Sequence, residues 1–218
     1  QFMLLAIVAI LIGGIIEIIP TYLIKSNIPT IATVKPYTPL ELHGRDIYIK
    51  EGCYTCHSQM VRPFRSETER YGEYSKAGEY VYDHPFQWGS KRIGPDLWRE
   101  GVKSGPLYKP NSWHYNHFMD PQKINAQSIM PKYPWLATND FDIESTSAKI
   151  RVMQQLGVPY PEGYDVKAVD DAKAQAETIA AGLKADGIDV APTKQVIALI
   201  AYIQRLGTDV GDSKTASK

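Results

Sequence analysis

The sequence predicts a mostly α-helical protein, with one N-terminal transmembrane helix followed by a helical domain that contains two long additional segments. Three features of the 218 residues support this prediction: an apolar run at the N-terminus, and helical apolar spacing at residues 39–49 and 196–203. A hydrophobic content of 44% is enough for a sizeable core. The formal net charge is zero, so the overall charge gives no sign of a nucleic-acid partner.

The N-terminal apolar run extends from Phe2 to Ile24, and Glu17 is its only ionisable side chain. A helix of this length measures about 35 Å, and the hydrocarbon core of a bilayer needs about 30 Å. A signal peptide has a shorter apolar region that ends in small residues, whereas Pro20-Thr21-Tyr22-Leu23 lies at the end of this run. We therefore predict a retained anchor at residues 1–24 and a proline-rich, extended linker at residues 25–39.

Glu17 is the unusual residue of the predicted anchor. A carboxyl group that faces lipid costs on the order of a few kcal/mol, so Glu17 lies near the headgroups or faces a partner helix. Gly13-Gly14 would let the backbone of such a helix approach closely. Both interpretations stay open at this point.

Both cysteines of the protein lie in the sequence Cys-Tyr-Thr-Cys-His, residues 53–57, which has the spacing of a c-type haem attachment motif. On a helical turn Cys53, Cys56 and His57 share one face, so two thiols and an imidazole can meet a porphyrin edge. The thiols can add to the two vinyl groups as thioethers, and His57 can bind the iron as the proximal ligand. A dithiol redox centre or half of a zinc site is the alternative, but no second cysteine pair exists to complete a zinc site.

Two predicted helices enclose the domain. The first follows Pro39 and contains Gly44 and Tyr48, and the second, which ends near Leu206-Gly207, contains Leu199 and Tyr202. This pair resembles the crossing N- and C-terminal helices of class I cytochromes c. The resemblance implies a class I cytochrome c-like domain with long insertions, in which a small residue such as Gly44 lets two backbones approach.

The loop Gly-Pro-Asp-Leu at residues 94–97 is similar to the Gly-Pro-Asn/Asp-Leu loop of those cytochromes. In that loop the proline carbonyl accepts the proton of the proximal imidazole. The resemblance implies that Pro95 orients His57. Such a hydrogen bond fixes the ring and tunes the potential of the iron. Without the other motifs, Gly-Pro-Asp is simply a turn signal.

The resemblance also implies a second axial ligand from a Met-Pro loop, and Met130-Pro131 has that form. Met60 lies only three residues after His57 and cannot reach the opposite haem face. Met3 belongs to the anchor, and Met153 lies in a helix-like stretch that suits a core position. We predict Met130 as the sixth ligand.

Met119 is a rival sixth ligand, and His114 and His117 are rivals for ligation by two histidines. The two histidines are three residues apart and could instead bind a separate metal ion. Two ligands without a third nearby are more often surface or packing residues.

Two segments make the domain longer than a small cytochrome. Residues 59–91 are rich in tyrosine, arginine and tryptophan, a composition typical of interfaces. Arg62, Arg65 and Arg92 are candidates to pair with haem propionates, although a solvated or partner-facing position suits each of them. Residues 139–191 predict two helices, and no chemistry is evident in them. The predicted helices extend over Ile143–Leu156 and Val166–Leu183.

The anchor, the single Cys-Tyr-Thr-Cys-His motif, the aromatic and arginine-rich insertion and the Met130-Pro131 loop together closely resemble the monohaem subunit, subunit II, of bacterial cbb3-type cytochrome c oxidases. The resemblance covers nearly the whole chain. It implies an anchor at 1–24, a linker at 25–39, a monohaem domain at 40–207 with insertions at 59–91 and 139–191, and a flexible tail at 208–218. The paired cysteine ligands of a copper-containing subunit II are missing, so haem replaces copper as the relay.

This family resemblance implies a non-catalytic electron-transfer subunit with one covalently bound haem c. It would lie in the bacterial inner membrane with a single span and its haem domain in the periplasm. Its implied partners are a catalytic haem-copper subunit and a second c-type cytochrome subunit, and nucleic acid is not among them. No Ser-His-Asp arrangement, P-loop or dinucleotide motif suggests a catalytic role.

Two other functions stay open from the sequence. The monohaem subunit of nitric oxide reductase is also anchored, but such subunits are shorter and lack the insertion at 59–91. A haem-based sensor or peroxidase-like enzyme would require an open sixth position at the iron. The spectrum of the ferrous protein with carbon monoxide separates these classes.

Overall fold

The computed structural model describes residues 1–24, 29–89 and 91–211. Apart from one isolated bridge between Asp140 and Lys194, these residues contain no β-pairing. The α-helices are α1 (Phe2–Leu23), α2 (Pro39–Lys50), α3 (Arg65–Tyr71), α4 (Asn111–Met119), α5 (Pro121–Ile124), α6 (Thr146–Gln155), α7 (Tyr164–Ala185), α8 (Gln195–Arg205) and α9 (Thr208–Gly211). Short 3-10 helices lie at Cys53–Thr55, Ala77–Tyr80, Pro134–Ala137 and Ile143–Ser145. The predicted fold class, mostly α, is confirmed.

Helix α1 is long and apolar enough to cross a membrane over Phe2–Thr21, and none of that segment is buried within the protein. Apolar side chains surround the whole helix, which suits lipid rather than one packed face. Gly13 and Gly14 have no atom of the described residues within 4 Å of the position of an added Cβ. The surface of α1 at the two glycines is therefore open to another helix.

Helices α2 and α8 cross in direct backbone contact at Gly44. A Cβ atom at this position would lie 1.9 Å from the carbonyl oxygen of Ala198 and 2.7 Å from the Cβ of Tyr202. No side chain fits there, because real carbon atoms do not approach so closely. Gly44 therefore sets the crossing that the resemblance to class I cytochromes c implies.

Both crossing helices have clear sequence causes. Helix α2 begins with a capping box, in which the Thr38 hydroxyl accepts from the Glu41 N–H and the Glu41 carboxylate accepts from the Thr38 N–H at 2.7 Å. Helix α8 is apolar on nearly every face, and its residues 195–203 are all buried. Each buried leucine or isoleucine contributes about 1.5–3 kcal/mol to folding. The crossing forms the centre of the core, where Tyr48 lies 5.5 Å from Tyr202 between ring centroids.

The two helices predicted within residues 139–191 are present as α6 and α7 and pack against each other and against α2. Ala168, Ala172 and Ala176 form the buried face of α7, as an alanine-rich stripe predicts. His43 of α2 is hydrogen-bonded to Thr146 of α6 at 2.7 Å. This helical pair covers part of α2 and adds to the core.

The ends of the predicted linker and tail are attached to the domain. Lys35 donates its backbone N–H to Asp209 at 2.8 Å, and Arg205 donates to the Lys35 carbonyl at 2.9 Å. Asp209 lies in α9, so the described start of the predicted tail, residues 208–211, is helical and contacts Arg205 of α8. Residues 25–28 of the predicted linker and residues 212–218 of the predicted tail lie outside the described residues.

Candidate haem site

The two cysteines and His57 lie on one tight turn directly after α2. Gly52 adopts a left-handed conformation (φ 71°), which ends the helix and starts the 3-10 turn Cys53–Thr55. The His57 N–H donates to the Cys53 carbonyl at 3.0 Å, so the turn continues through the motif. Burial, with a smaller contribution from Glu51, raises the pKa of Cys53 to about 12. A thiol of that pKa is protonated at neutral pH.

The imidazole of His57 is held by the proline loop. Its Nδ1 lies 2.8 Å from the carbonyl oxygen of Pro95, which has no proton, so Nδ1 donates. This bond leaves the Nε2 lone pair free, and Nε2 makes no hydrogen bond within the described part of the chain. Burial lowers the pKa of His57 and favours the neutral ring, although the Pro95 bond acts in the opposite direction. A neutral ring with a free Nε2 is the form that binds iron.

Backbone bonds on both sides of His57 join the motif to residues 94–97. The Gly94 N–H donates to the Cys56 carbonyl at 3.0 Å, and the Leu97 N–H donates to the Ser58 carbonyl at 2.9 Å. A Cβ at Gly94 would lie 2.3 Å from Cε1 of His57. Only glycine therefore lets the proline loop approach the ring closely enough for the Pro95 bond.

The Met130 loop lies beside the cysteine motif. Trp135 donates its indole N–H to Glu51 at 3.0 Å, directly before the motif. Burial raises the pKa of Tyr133 to about 12, and Cys53 and Cys56 add to this effect because they lie close to the phenol. Met130 itself is half-buried and packs against the core. The structure brings the loop to the motif, and Met130 as an iron ligand stays a prediction.

The rival histidines lie on α4 in different surroundings. Burial, with a smaller contribution from the nearby His57, lowers the pKa of His117, and its Nδ1 is buried without a hydrogen-bond partner. His114 is directed towards Glu100, with Nε2 at 3.9 Å from the carboxylate, and burial lowers its pKa to about 4. Met119 is half-buried against the core. No group of three metal-ligating side chains occurs in the described residues.

The residues of this site fit a haem. Trp88 has a buried indole N–H without a partner, and the neighbouring Gly89 packs against the carbonyl of His57, 3.2 Å from an added Cβ. Together with the free Nδ1 of His117, this gives two unpaired polar groups near His57, and buried polar groups need partners. A porphyrin with two propionates supplies acceptors of that kind. Cys53, Cys56 and His57 would hold it.

The insertion at 59–91 turns many of its polar and aromatic side chains inward, which its composition did not predict. Glu79 accepts from the Trp98 indole at 2.6 Å and forms an ion pair with Arg99, and Tyr80 stacks on Trp98 with ring centroids 4.3 Å apart. Phe64 and Phe86 remain exposed, at 59% and 52%. Only part of the insertion is therefore free to form an interface.

The arginines that are candidate propionate partners already form ion pairs within the domain. Arg92 pairs with Glu67 and donates to Ser58 and Met60, so its guanidinium is used within the domain. Arg65 is 90% exposed and, among the residues that the structure describes, forms an ion pair with its neighbour Glu69 on α3. The sequence did not predict that Glu67 pairs with Arg92 or that Asp96 accepts hydrogen bonds from Ser58 and Met60. The one signal for Asp96 was its place after Pro95.

Comparison with known protein families gives a match over nearly the whole chain. A family model described as "Cytochrome C oxidase, mono-heme subunit/FixO" matches residues 1–210 of the chain. The match includes the apolar helix, the Cys-Tyr-Thr-Cys-His motif, the insertions and the terminal helix. A comparison with curated proteins finds no match.

Proposed function

Because the chain belongs to the FixO family, the monohaem cytochrome c subunits of cbb3-type oxidases, we propose that it relays single electrons to the catalytic haem-copper subunit of such an oxidase. The observation that carries this proposal is the environment of His57. Its ring is kept neutral, oriented by Pro95 at 2.8 Å, and placed on one turn with two cysteines. That arrangement presents one nitrogen for an iron ligand and two thiols for covalent attachment.

The protein's own side chains would define a closed site. Cys53 and Cys56 would hold the haem covalently, and His57 and Met130 would bind its iron. When bound, the haem supplies a one-electron carrier whose iron alternates between the ferric and ferrous states. Because His57 and Met130 would both bind the iron, oxygen reduction would belong to the partner subunit.

The topology of the proposed complex follows from the anchor. Helix α1 spans the bilayer once, and covalent haem attachment in this class of protein takes place outside the cytoplasmic membrane. The domain after residue 39 therefore lies in the periplasm, and a second c-type cytochrome subunit supplies its electrons. The division into anchor, linker, monohaem domain and tail is part of this proposal.

The relay function predicts a ferrous spectrum that does not change with carbon monoxide. The full chain, purified in mild detergent and reduced anaerobically, is measured before and after addition of the gas. Met130→Ala is the matched control, because it removes the proposed ligand and should create a carbon monoxide-binding form. A shift in the unaltered chain would favour a sensor or enzyme and contradict the relay.

The partner assignment predicts that α1 contacts the larger subunit through Glu17 and the glycine pair. Lipid gives no apolar driving force between helices, so each polar or close contact contributes about 1 kcal/mol, roughly a fivefold change in association. Glu17→Leu should weaken co-purification with the other subunits from mild detergent. Gly13→Leu with Gly14→Leu should weaken it more, because the bulkier side chains separate the backbones.

Ile10→Leu is the control for the anchor, since it keeps the volume and polarity of the helix. Haem attachment should be normal in every variant. If both altered anchors co-purify as well as the control, the span is only a tether. The exposed residues of the insertion must then carry the interface.

A further inference from the structure

Arg92 holds two of the three residues that follow His57, namely Ser58 and Met60. Its Nε donates to the Ser58 hydroxyl at 2.6 Å, and its Nη2 donates to the Met60 carbonyl at 2.8 Å. Ser58 directly follows His57 in the chain. A shift of the Arg92 guanidinium is therefore transmitted to the His57 ring through a single residue. The guanidinium also lies over the ring of Tyr71, 5.2 Å from its centroid.

Asp96 contacts the same segment. Its carboxylate is completely buried and accepts from the Ser58 hydroxyl at 2.7 Å and from the Met60 N–H at 2.8 Å. Asp96 follows Pro95 in the chain, and the Pro95 carbonyl orients His57. The carboxylate therefore ties the proline loop to the motif, and it lies 3.4 Å from Arg92.

Glu67 connects this cluster to the insertion. It lies in α3, forms an ion pair with Arg92, and accepts from the Arg62 side chain at 2.6 Å and from the Arg62 N–H at 3.0 Å. Burial alone would raise the pKa of Glu67, but hydrogen bonds from Arg92 and Arg62 lower it to about 2. Glu67 is thus an anion that keeps Arg92 in place.

We propose that Glu67 and Arg92 are positioning residues for His57, through which the insertion sets the orientation and the charge environment of the proximal ligand and thereby the reduction potential. The inference rests on the proposed haem function. It gives residues 59–91 a role besides docking, because α3 contributes the anion that holds the arginine behind the haem motif.

The charges make this role distinguishable from simple packing. The cluster contains two cations, Arg62 and Arg92, and two anions, Glu67 and Asp96, so it is balanced. Loss of the negative charge of Glu67 leaves excess positive charge, which disfavours the ferric state and raises the potential. Loss of the positive charge of Arg92 leaves excess negative charge and lowers it. Mechanical loosening alone would shift the reduction potential of both variants in the same direction.

The test is the midpoint potential of the full, haem-loaded chain, measured by spectroelectrochemistry in Glu67→Gln, Arg92→Gln and the double variant. We expect at least a threefold change in the equilibrium constant for reduction in each single variant, with opposite signs. At 59 mV per tenfold for one electron this is roughly 30 mV. The double variant, which keeps the cluster neutral, should lie between the two.

Matched controls come from the exposed pair on the same helix. Arg65→Gln and Glu69→Gln make the same charge changes at side chains that are 90% and 63% exposed, and their potentials should stay near that of the parent. Arg92→Lys and Glu67→Asp keep the charges and should restore most of the parent potential. These variants separate a local effect from a change in overall charge.

Shifts of the same sign in both single variants, or shifts no larger than those of the exposed controls, would overturn the inference. If Arg92→Gln does not fold, the potentials of Glu67→Gln and Arg92→Lys decide the question. A higher potential in Glu67→Gln with an unchanged potential in Arg92→Lys supports the role, and an unchanged potential in Glu67→Gln overturns it. A parent chain without covalent haem would instead be a failure of the proposed function. The two failures are therefore distinguishable.

Discussion

Replacing Cys53 and Cys56 together with alanine is expected to abolish covalent haem attachment completely. These are the only two cysteines of the chain, so no other thiol can form a thioether. Acid–acetone extraction of the denatured parent should leave the haem on the polypeptide, and the same treatment of the double variant should leave none. Haem staining after denaturing electrophoresis and the intact mass measure the difference.

The single variants are the controls for this experiment. Cys53→Ala and Cys56→Ala each keep one thiol and should retain haem through one thioether in part of the molecules. His57→Ala should affect the iron spectrum, because it removes a ligand and not a covalent bond. If the parent chain itself loses its haem in the extraction, the assignment of the motif is wrong.

The helical framework was predictable because its signals are local. The apolar spacing of α2 and that of α8 each lie within one helix, and the resemblance to class I cytochromes c pointed to Gly44 as the place where the helices cross. The structure has no space for a Cβ there, 1.9 Å from the Ala198 oxygen. The two helices of residues 139–191 were predictable for the same reason, since period and alanine content are properties of a short window.

The fold of the insertion was not predictable, because its contacts join residues far apart in sequence. Glu79 pairs with Arg99, and Asp83 pairs with Arg45 at 2.6 Å, 38 residues away. Composition alone does not distinguish an arginine at a protein interface from one that is buried in an ion pair. The aromatic and arginine-rich segment was therefore predicted as an interface, whereas much of it stabilises its own domain.

The candidate site divides in the same way. Cys53, Cys56 and His57 form one local motif, and the turn at Pro95 was expected to approach His57 only from the resemblance to class I cytochromes c. The structure shows their hydrogen bond across 38 residues. Glu67 had no local signal, because its importance arises from Arg92, which lies 25 residues away. Iron ligation by Met130 depends on a loop whose packing no short pattern describes.

Met130→His should keep the iron low-spin and lower its reduction potential by on the order of 0.2 V, within the roughly 0.8 V that axial ligands span. Imidazole stabilises ferric iron relative to a thioether, whereas the thioether favours the ferrous state. Met130 is half-buried, and Tyr133 of the same loop lies near Cys53 and Cys56, so we predict that this loop supplies the sulfur. Potentiometric titration and the near-infrared band of ferric iron bound to methionine measure the two effects together.

Met119→His is the matched control, because Met119 is also a half-buried methionine and lies two residues after His117 on helix α4. It should leave both the potential and the near-infrared band unchanged. His117→Gln tests ligation by two histidines, and it should also keep the band, since its free Nδ1 is expected to face a propionate and not the iron. An unchanged band in Met130→His, together with its loss in Met119→His or a spin change in His117→Gln, would move the sixth ligand to α4.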